Sequence, residues 1–175
     1  KEQIYFMGEK VRIRQLSYKK SDSATITCES FLESKRKGKS SLLMRDNHSG
    51  ETLYSFELDY HIIVKDTFKL FYRDYFNDVP VEYYENKLPK GRIITENDHQ
   101  FTIFIEPFTP NQCKGHFENY PIVPSVFIMN CTLREIFNFL GQKDSYEVDN
   151  LEGYATKAMP TEIEYRIDVS HQKLL

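Results

Sequence analysis

The feature that most constrains the fold of this sequence is an apolar run in its second half. Along residues 126–140, apolar side chains recur on every face of a helical wheel, with few polar residues between them. Pro124 precedes the run and Gly141 directly follows it, which is typical of the two ends of a helix. A helix that is apolar all round is expected to be buried. The sequence therefore predicts one long central helix over residues 125–140, surrounded by other elements.

Most of the remaining chain has the alternation of apolar and polar residues that predicts half-buried strands. The segment around Phe101 and Ile103 also has an apolar residue, Phe104, on its second face, which predicts a strand covered on both sides. Strands around one central helix indicate an α+β fold. The predicted strands lie at residues 11–13, 24–32, 41–44, 52–62, 101–105 and 162–169.

A second helix is predicted where the apolar residues no longer recur at every second position but at every third or fourth. Phe68, Phe71, Tyr72 and Tyr75 form an amphipathic stripe, and Asp66 is placed as its N-cap. Residues 77–91, with prolines, a glycine and few aliphatic residues, form the best candidate for a linker. The sequence thus suggests a strand-rich region over residues 1–76 and a second unit over residues 92–175.

Composition excludes several classes of function. The net charge of −3 and a pI near 6.0 give no indication of nucleic-acid binding. No apolar run approaches the length of a membrane span. The three cysteines form no Cys-x-x-Cys pair and fit a reducing compartment, so a cytoplasmic location is expected. Cys113 and His116 have a metal-like spacing but no second ligand pair, so neither a metal nor another cofactor is expected.

The candidate site lies in the loop before the central helix. His116 stands in a segment stiffened by Pro121 and Pro124, shortly before the predicted helix start. The first N–H groups of a helix can polarise a carbonyl oxygen, and a histidine beside them can remove a proton next to that carbonyl. The residues alone leave open the alternative of a loop histidine with a structural role.

This loop resembles the signature of the hotdog-fold 3-hydroxyacyl-acyl-carrier-protein dehydratases. His116, Phe117, Pro121, Pro124 and Val126 match that signature in register, and the resemblance covers about residues 92–170. It implies a hotdog fold, in which a curved antiparallel sheet wraps around one long buried central helix. It also implies pairing of two such units, either as a homodimer or with another hotdog unit.

The resemblance further implies the role of each site residue. His116 would remove the α-proton of a 3-hydroxyacyl chain, and an acid fourteen positions later would protonate the departing hydroxyl. That position is Asn130, whose amide forms hydrogen bonds but has no proton to give as a general acid. The substrate-binding positions implied by the family are Gly115, Phe117, Pro124, Ser125 and Val126.

Two nearby carboxylates are considered as replacements for the missing acid. Glu118 stands where the family has proline and is expected to be a solvated loop charge. Ser125 is a further departure, since the family has glycine at that position. Glu135 is turned off the helix face of Asn130 and is expected to pair with Arg134 or Lys143.

Three functions remain open from the sequence. The first is a dehydratase-like enzyme, with altered or lost activity, in fatty-acid or polyketide-type metabolism. The second is an acyl thioesterase of the same fold, and the third is a non-catalytic acyl-binding or dimerisation module of a synthase. The expected partner is an acyl thioester on an acyl carrier protein or coenzyme A, with no nucleic acid and no membrane. The basic stretch 35–39 is either a solvated hairpin loop or a docking site for an acidic carrier.

The order of the predicted elements raises a question about the whole chain. Residues 11–63 resemble the later strands of a hotdog unit without a preceding motif and helix. The chain is therefore expected to be a piece of a longer multi-hotdog protein, or a rearranged unit that completes its sheet with its own N-terminal strands.

Overall fold

The computed structural model of this chain describes residues 3–78, 81, 83–97, 100–141 and 148–170. The chain divides into two compact units, one of Lys1–Phe71 with Glu147–Thr156 and one of Tyr72–Tyr146 with Lys157–Leu175. The first unit thus includes a segment from late in the chain, whereas the sequence suggests a single division between residues 76 and 92. Pro80 of the suggested linker lies outside the described residues.

The first unit is built on an antiparallel five-stranded sheet, and each strand predicted in this part of the chain is found. The strands are β1 (Ile4–Gln15), β2 (Ala24–Ser34), β3 (Lys37–Asp46), β4 (Thr52–Val64) and β7 (Asn150–Tyr154). Their order in the sheet is β2-β3-β4-β1-β7.

One face of this sheet is charged and the other is apolar. Arg12 lies between Glu57 of β4 and Glu152 of β7 and forms ion pairs with both, at 3.2 and 3.1 Å. The neighbouring residues of β1 point to the opposite face, where Val11 pairs with Leu58. The period-two alternation that predicts these strands therefore separates a solvent-facing side from an apolar side.

Helix α1 (Lys65–Phe71) continues directly from β4. Phe68 is completely buried and stacks on Tyr5, with 4.1 Å between ring centroids. The predicted N-cap is wrong, because Asp66 lies inside the first helical turn, which begins at Lys65 without a loop before it. The predicted aromatic stripe is also divided, since a separate 3-10 turn covers Arg73–Tyr75.

The turn between β3 and β4 is organised by one buried carboxylate. Asp46 is 2% exposed and accepts hydrogen bonds from the hydroxyl of Ser21, at 2.6 Å, and from the backbone N–H and hydroxyl of Ser49, at 2.7 and 2.6 Å. Lys19 adds an ion pair at 3.3 Å. The hydrogen bonds from Ser21 and Ser49 hold the pKa of Asp46 well below its ordinary value of 3.8.

We expect Asp46→Asn to lower the melting temperature at neutral pH. A carboxyl whose folded-state pKa is depressed stabilises the fold above its unfolded pKa, and this contribution disappears as the pH falls through the folded value. The difference in melting temperature between the two proteins should therefore shrink below about pH 4. Thermal melts from neutral to strongly acidic pH measure it. The exposed Asp22→Asn removes the same charge and is the control, so an equal loss in both variants would contradict this assignment.

The second unit contains an antiparallel three-stranded sheet and the long helix. The strands are β5 (Gly91–Asn97), β6 (Gln100–Ile105) and β8 (Tyr165–Ser170), in the order β5-β6-β8. In β6, Ile103 is fully buried on one face and Thr102 is 3% exposed on the other, which confirms the strand predicted to be covered on both sides. The core contains Phe101, Ile103, Ile105, Phe108, Cys113, Val123, Ile128 and Cys131.

Helix α2 (Ser125–Phe139) is one uninterrupted helix, as predicted. It packs against β5 and β6 and buries Ile128 and Cys131. Val126 and Asn130, on the opposite side of the helix, are exposed. Helix α2 is therefore buried on one side only, whereas its apolar composition predicts burial on every face. The helix is also too short to cross a membrane, as is every other helix in the described ranges.

Glu135 fastens the middle of α2 to the start of β5. Its carboxylate accepts the backbone N–H of Gly91 at 3.2 Å and forms an ion pair with Arg134 at 2.8 Å, which confirms the expected Arg134 partner. The other expected partner, Lys143, lies outside the described residues. A Cβ at Gly91 would lie 2.5 Å from Cγ of Glu135, so this contact requires glycine. Glu135 is thus held in a structural contact.

The last two strands of the chain belong to different sheets. β7 pairs with β1, whereas β8 pairs with β6. β8 also begins at Tyr165 and not at the predicted residue 162, because Glu162 has a left-handed backbone with φ of 64°. That conformation interrupts an extended strand.

Candidate functional site

The loop between β6 and α2 is shaped by a short 3-10 turn, Pro110–Cys113. Thr109 and Gln112 cap it reciprocally, each side chain bonding to the backbone of the other residue, at 3.3 and 2.8 Å. The chain then reverses at Gly115, whose φ of 90° favours glycine. The backbone N–H of His116 closes the reversal on the carbonyl of Cys113 at 3.1 Å.

The imidazole of His116 is oriented by one hydrogen bond. Its Nδ1 lies 3.0 Å from the backbone carbonyl oxygen of Ile122, and its ring lies 4.2 Å from the ring of Phe117. Because a carbonyl oxygen can only accept, Nδ1 must carry the hydrogen. In the neutral ring the lone pair is then on Nε2, the nitrogen that can act as a base.

The acceptor carbonyl is fixed within the unit. Ile122 and Val123 are 3% and 1% exposed. The N–H of Val123 donates to the carbonyl of Met159 at 2.8 Å, and Ile122 forms an isolated β-bridge with Pro160. No side-chain pattern in the sequence indicates this acceptor, since it is a backbone atom.

The surroundings of His116 favour its neutral form. Burial of the ring lowers its pKa from the ordinary value of 6.5, and the hydrogen bond to Ile122 offsets only part of this effect. The residue still has exposed surface, so the burial is partial. A neutral imidazole with a free Nε2 is the form required of a general base.

The start of α2 offers open backbone donors. Pro124 is the N-cap and makes no side-chain capping bond, while the N–H of Phe127 bonds to its carbonyl at 2.9 Å. Ser125 and Val126 are both exposed, and as the first helical residues they lack intrahelical partners for their N–H groups. These two groups and the positive end of the helix dipole can stabilise a partly negative oxygen.

Asn130 lies one turn further along α2, on the same face as Val126. Asn130 is exposed. Within the described part of the chain, no hydrogen bond joins its side chain to that of His116. The two residues that the resemblance pairs are thus both exposed, without a hydrogen bond between their side chains.

A cavity of about 410 Å³ lies beside the loop, lined in part by Gly115, Phe117, Glu118 and Tyr120. Gly115 and Phe117 flank His116, which is itself not among the lining residues. Glu118 is exposed, in keeping with a solvated loop charge. The cavity therefore adjoins the candidate base without enclosing it.

Cys113 also lines this cavity but is chemically inert there. It is 2% exposed, and burial raises the pKa of its thiol to about 11, so the thiol is protonated at neutral pH. A protonated thiol is neither a nucleophile nor a metal ligand. Among the described residues, no group of three or more His, Cys, Asp or Glu side chains could hold a metal ion.

Comparison with known proteins identifies the fold. Sequence searches find no matching protein family and no similar curated protein. Several solved structures resemble the chain, and the three that follow cover 92–97% of it. The tesB protein of Mycobacterium avium subspecies paratuberculosis has a TM-score of 0.58 at 10% identity, with 97% of this chain and 68% of that chain covered.

The other two structures give similar values. A 12:0-ACP thioesterase from Umbellularia californica has a TM-score of 0.57 at 11% identity, with 93% and 60% of the two chains covered. A MaoC-like dehydratase from Phytophthora capsici has a TM-score of 0.53 at 11% identity, with 92% and 60% covered. The chain thus spans between 60% and 68% of the length of these structures. They confirm the α+β hotdog fold.

Proposed function

We propose that this chain binds or acts on an acyl thioester, with His116 as the base. The hydrogen bond between Nδ1 of His116 and the carbonyl of Ile122 carries the proposal, because it leaves Nε2 free on a neutral ring. The same loop leads directly into a helix start with exposed, uncapped donors. A base beside an oxyanion-stabilising group is the arrangement needed for chemistry next to a thioester carbonyl.

For a 3-hydroxyacyl thioester, the carbonyl oxygen would accept the N–H groups of Ser125 and Val126. Nε2 of His116 would then remove the α-proton, and the hydroxyl would leave as water once protonated. Asn130 can orient that hydroxyl but cannot protonate it. The proposed dehydratase-like activity is therefore weak or lost.

Thioester hydrolysis needs no acid at position 130. A neutral His116 can take a proton from water as the water attacks the thioester carbonyl, and it can return that proton to the departing thiolate as the C–S bond breaks. The Asn130 amide can hold the water or the thioester by hydrogen bonds. The tesB protein and the 12:0-ACP thioesterase among the similar structures also favour this reading. A non-catalytic acyl-binding or dimerisation module of a synthase is the third possibility.

The acyl group would be carried by an acyl carrier protein or by coenzyme A. At the tip of the β2–β3 hairpin, Lys35 and Arg36 are exposed and suit an acidic carrier. Lys37 and Lys39 of β3 form ion pairs with Glu9 and Glu33, at 3.4 and 2.6 Å. Part of the positive charge of the basic stretch is therefore neutralised by carboxylates of the same chain.

Incubation of the protein with acyl-coenzyme A and 3-hydroxyacyl-coenzyme A tests the proposal. We expect release of free acid or slow formation of the unsaturated thioester, reduced about 10²–10⁴-fold in His116→Gln. Because the pKa of His116 is lowered, the rate should remain high down to pH values below 6.5 and fall only in more acidic solution. His48→Gln, in the exposed β3–β4 turn, is the control.

The products separate the three functions. Free acid that disappears in His116→Gln supports the thioesterase, and an unsaturated thioester supports the dehydratase. Acyl-coenzyme A that binds without turnover supports the module. Neither turnover nor binding, or equal turnover in His116→Gln, would contradict the proposed site.

A further inference from the structure

The backbone of residues 158–160 is held by the hydroxyl groups of two tyrosines. The hydroxyl of Tyr75 donates to the carbonyl of Ala158 at 3.3 Å, and the hydroxyl of Tyr165 donates to the carbonyl of Pro160. Tyr75 ends the 3-10 turn that follows α1, whereas Tyr165 is the first residue of β8. Two elements that are far apart in the chain therefore fix the two ends of the same short segment.

This segment supports the hydrogen-bond acceptor of His116. The carbonyl of Met159 accepts the N–H of Val123 at 2.8 Å, and Pro160 forms the bridge with Ile122. In an antiparallel ladder, this hydrogen bond makes Ile122 and Pro160 a pair without mutual hydrogen bonds. The carbonyl of Ile122 therefore points away from Pro160, and Nδ1 of His116 lies 3.0 Å from its oxygen.

The side chain of Tyr165 is a neutral donor with a fixed position. Burial raises its pKa well above the ordinary value of 10.0, and the nearby Cys113 and Tyr75 add smaller effects in the same direction. Its ring packs edge-on against the completely buried Phe108, with 6.0 Å between ring centroids. The hydroxyl therefore keeps its proton, and its hydrogen bond to Pro160, at neutral pH.

We propose that Tyr165 and Tyr75 are positioning residues for His116. Their hydroxyls hold residues 158–160, this segment holds the carbonyl of Ile122, and that carbonyl selects the tautomer of His116. Loss of either hydroxyl leaves a backbone carbonyl without its donor and loosens the segment. The inference rests on the proposed function, because a base needs the tautomer whose Nε2 is free.

Nitrogen NMR of the full chain tests the positioning without any substrate. The chemical shifts of a histidine ring distinguish a protonated from an unprotonated nitrogen, and His116→Gln identifies the signals of His116. At neutral pH we expect the hydrogen on Nδ1 in the unchanged protein. In Tyr165→Phe and in Tyr75→Phe, the fraction with the hydrogen on Nε2 should rise about two- to tenfold, the effect of one net hydrogen bond. Tyr154→Phe, at a 65% exposed tyrosine of β7, is the matched control and should leave the tautomer unchanged.

Steady-state kinetics with the acyl thioester substrates give a second measurement. Tyr165→Phe should lower kcat about tenfold and leave KM unchanged, because its hydroxyl bonds to a backbone carbonyl and not to the substrate. Both phenylalanine variants keep the aromatic ring, so the fold should persist, and Tyr75→Phe provides the test if Tyr165→Phe does not fold.

The two measurements separate the positioning from the proposed function. An unchanged tautomer of His116 in both Tyr165→Phe and Tyr75→Phe would overturn the positioning, even in a protein that turns over acyl thioesters. A shifted tautomer in a protein that neither binds nor turns over these compounds would support the positioning and contradict the proposed function. A shift of the same size in Tyr154→Phe would also overturn the inference.

Discussion

Asn130→Glu is expected to raise dehydration of 3-hydroxyacyl thioesters by about 10²–10⁴-fold, the usual contribution of a positioned general acid. The substitution supplies the proton donor that the dehydratase resemblance requires at this position. The unmodified protein should dehydrate slowly or not at all. Absorbance of the unsaturated thioester product measures the rate.

Asn130→Gln is the matched control, because it has the length of glutamate but no proton to donate. It should leave the rate unchanged. Equal gains in both variants would show that side-chain length and not acidity matters. Rapid dehydration by the unmodified protein, unaffected by Glu118→Gln, would show that another group supplies the proton.

Phe108→Ala is expected to lower the free energy of unfolding by about 3–5 kcal/mol, the cost of removing a fully buried phenylalanine. Phe108 is completely buried and packs edge-on against Tyr165, with 6.0 Å between ring centroids. It belongs to the core that also contains Cys113 and Val123, at the two ends of the His116 loop. Urea unfolding measures the loss.

Phe71→Ala makes the same change at a residue that is 64% exposed. It should alter the free energy of unfolding by no more than about 0.5 kcal/mol. A loss in Phe108→Ala as small as that of the control would show that the core around Phe108 does not hold the second unit together.

The sequence by itself determined the strands and helix ends that depend only on residues close together in the chain. The alternation around Val11 and Ile13 and the doubly apolar segment at Ile103 both predict strands that the structure contains. Pro124 and Gly141 bracket the helix within one or two residues of its observed ends. These signals are readable because side-chain periodicity and the restricted backbone of proline act within a few residues.

The family resemblance, and not periodicity, predicted the hotdog fold that the solved structures confirm. Strand periodicity gives the faces of a strand but not its neighbours. Although β7 and β8 follow each other in the chain, β7 joins β1 and β8 joins β6. Such pairings depend on contacts between distant parts of the chain.

At the candidate site, the sequence by itself offered a loop histidine as a candidate base. The sequence places His116 in a loop before the helix, and the resemblance to the dehydratase family, rather than the residues alone, singles out Asn130. Only the tertiary structure decided the tautomer, through the carbonyl of Ile122. It also decided that α2 is buried on one side, with Asn130 exposed. The physical reason is that backbone acceptors are the same in every residue, and only folding selects which of them meets a given side chain.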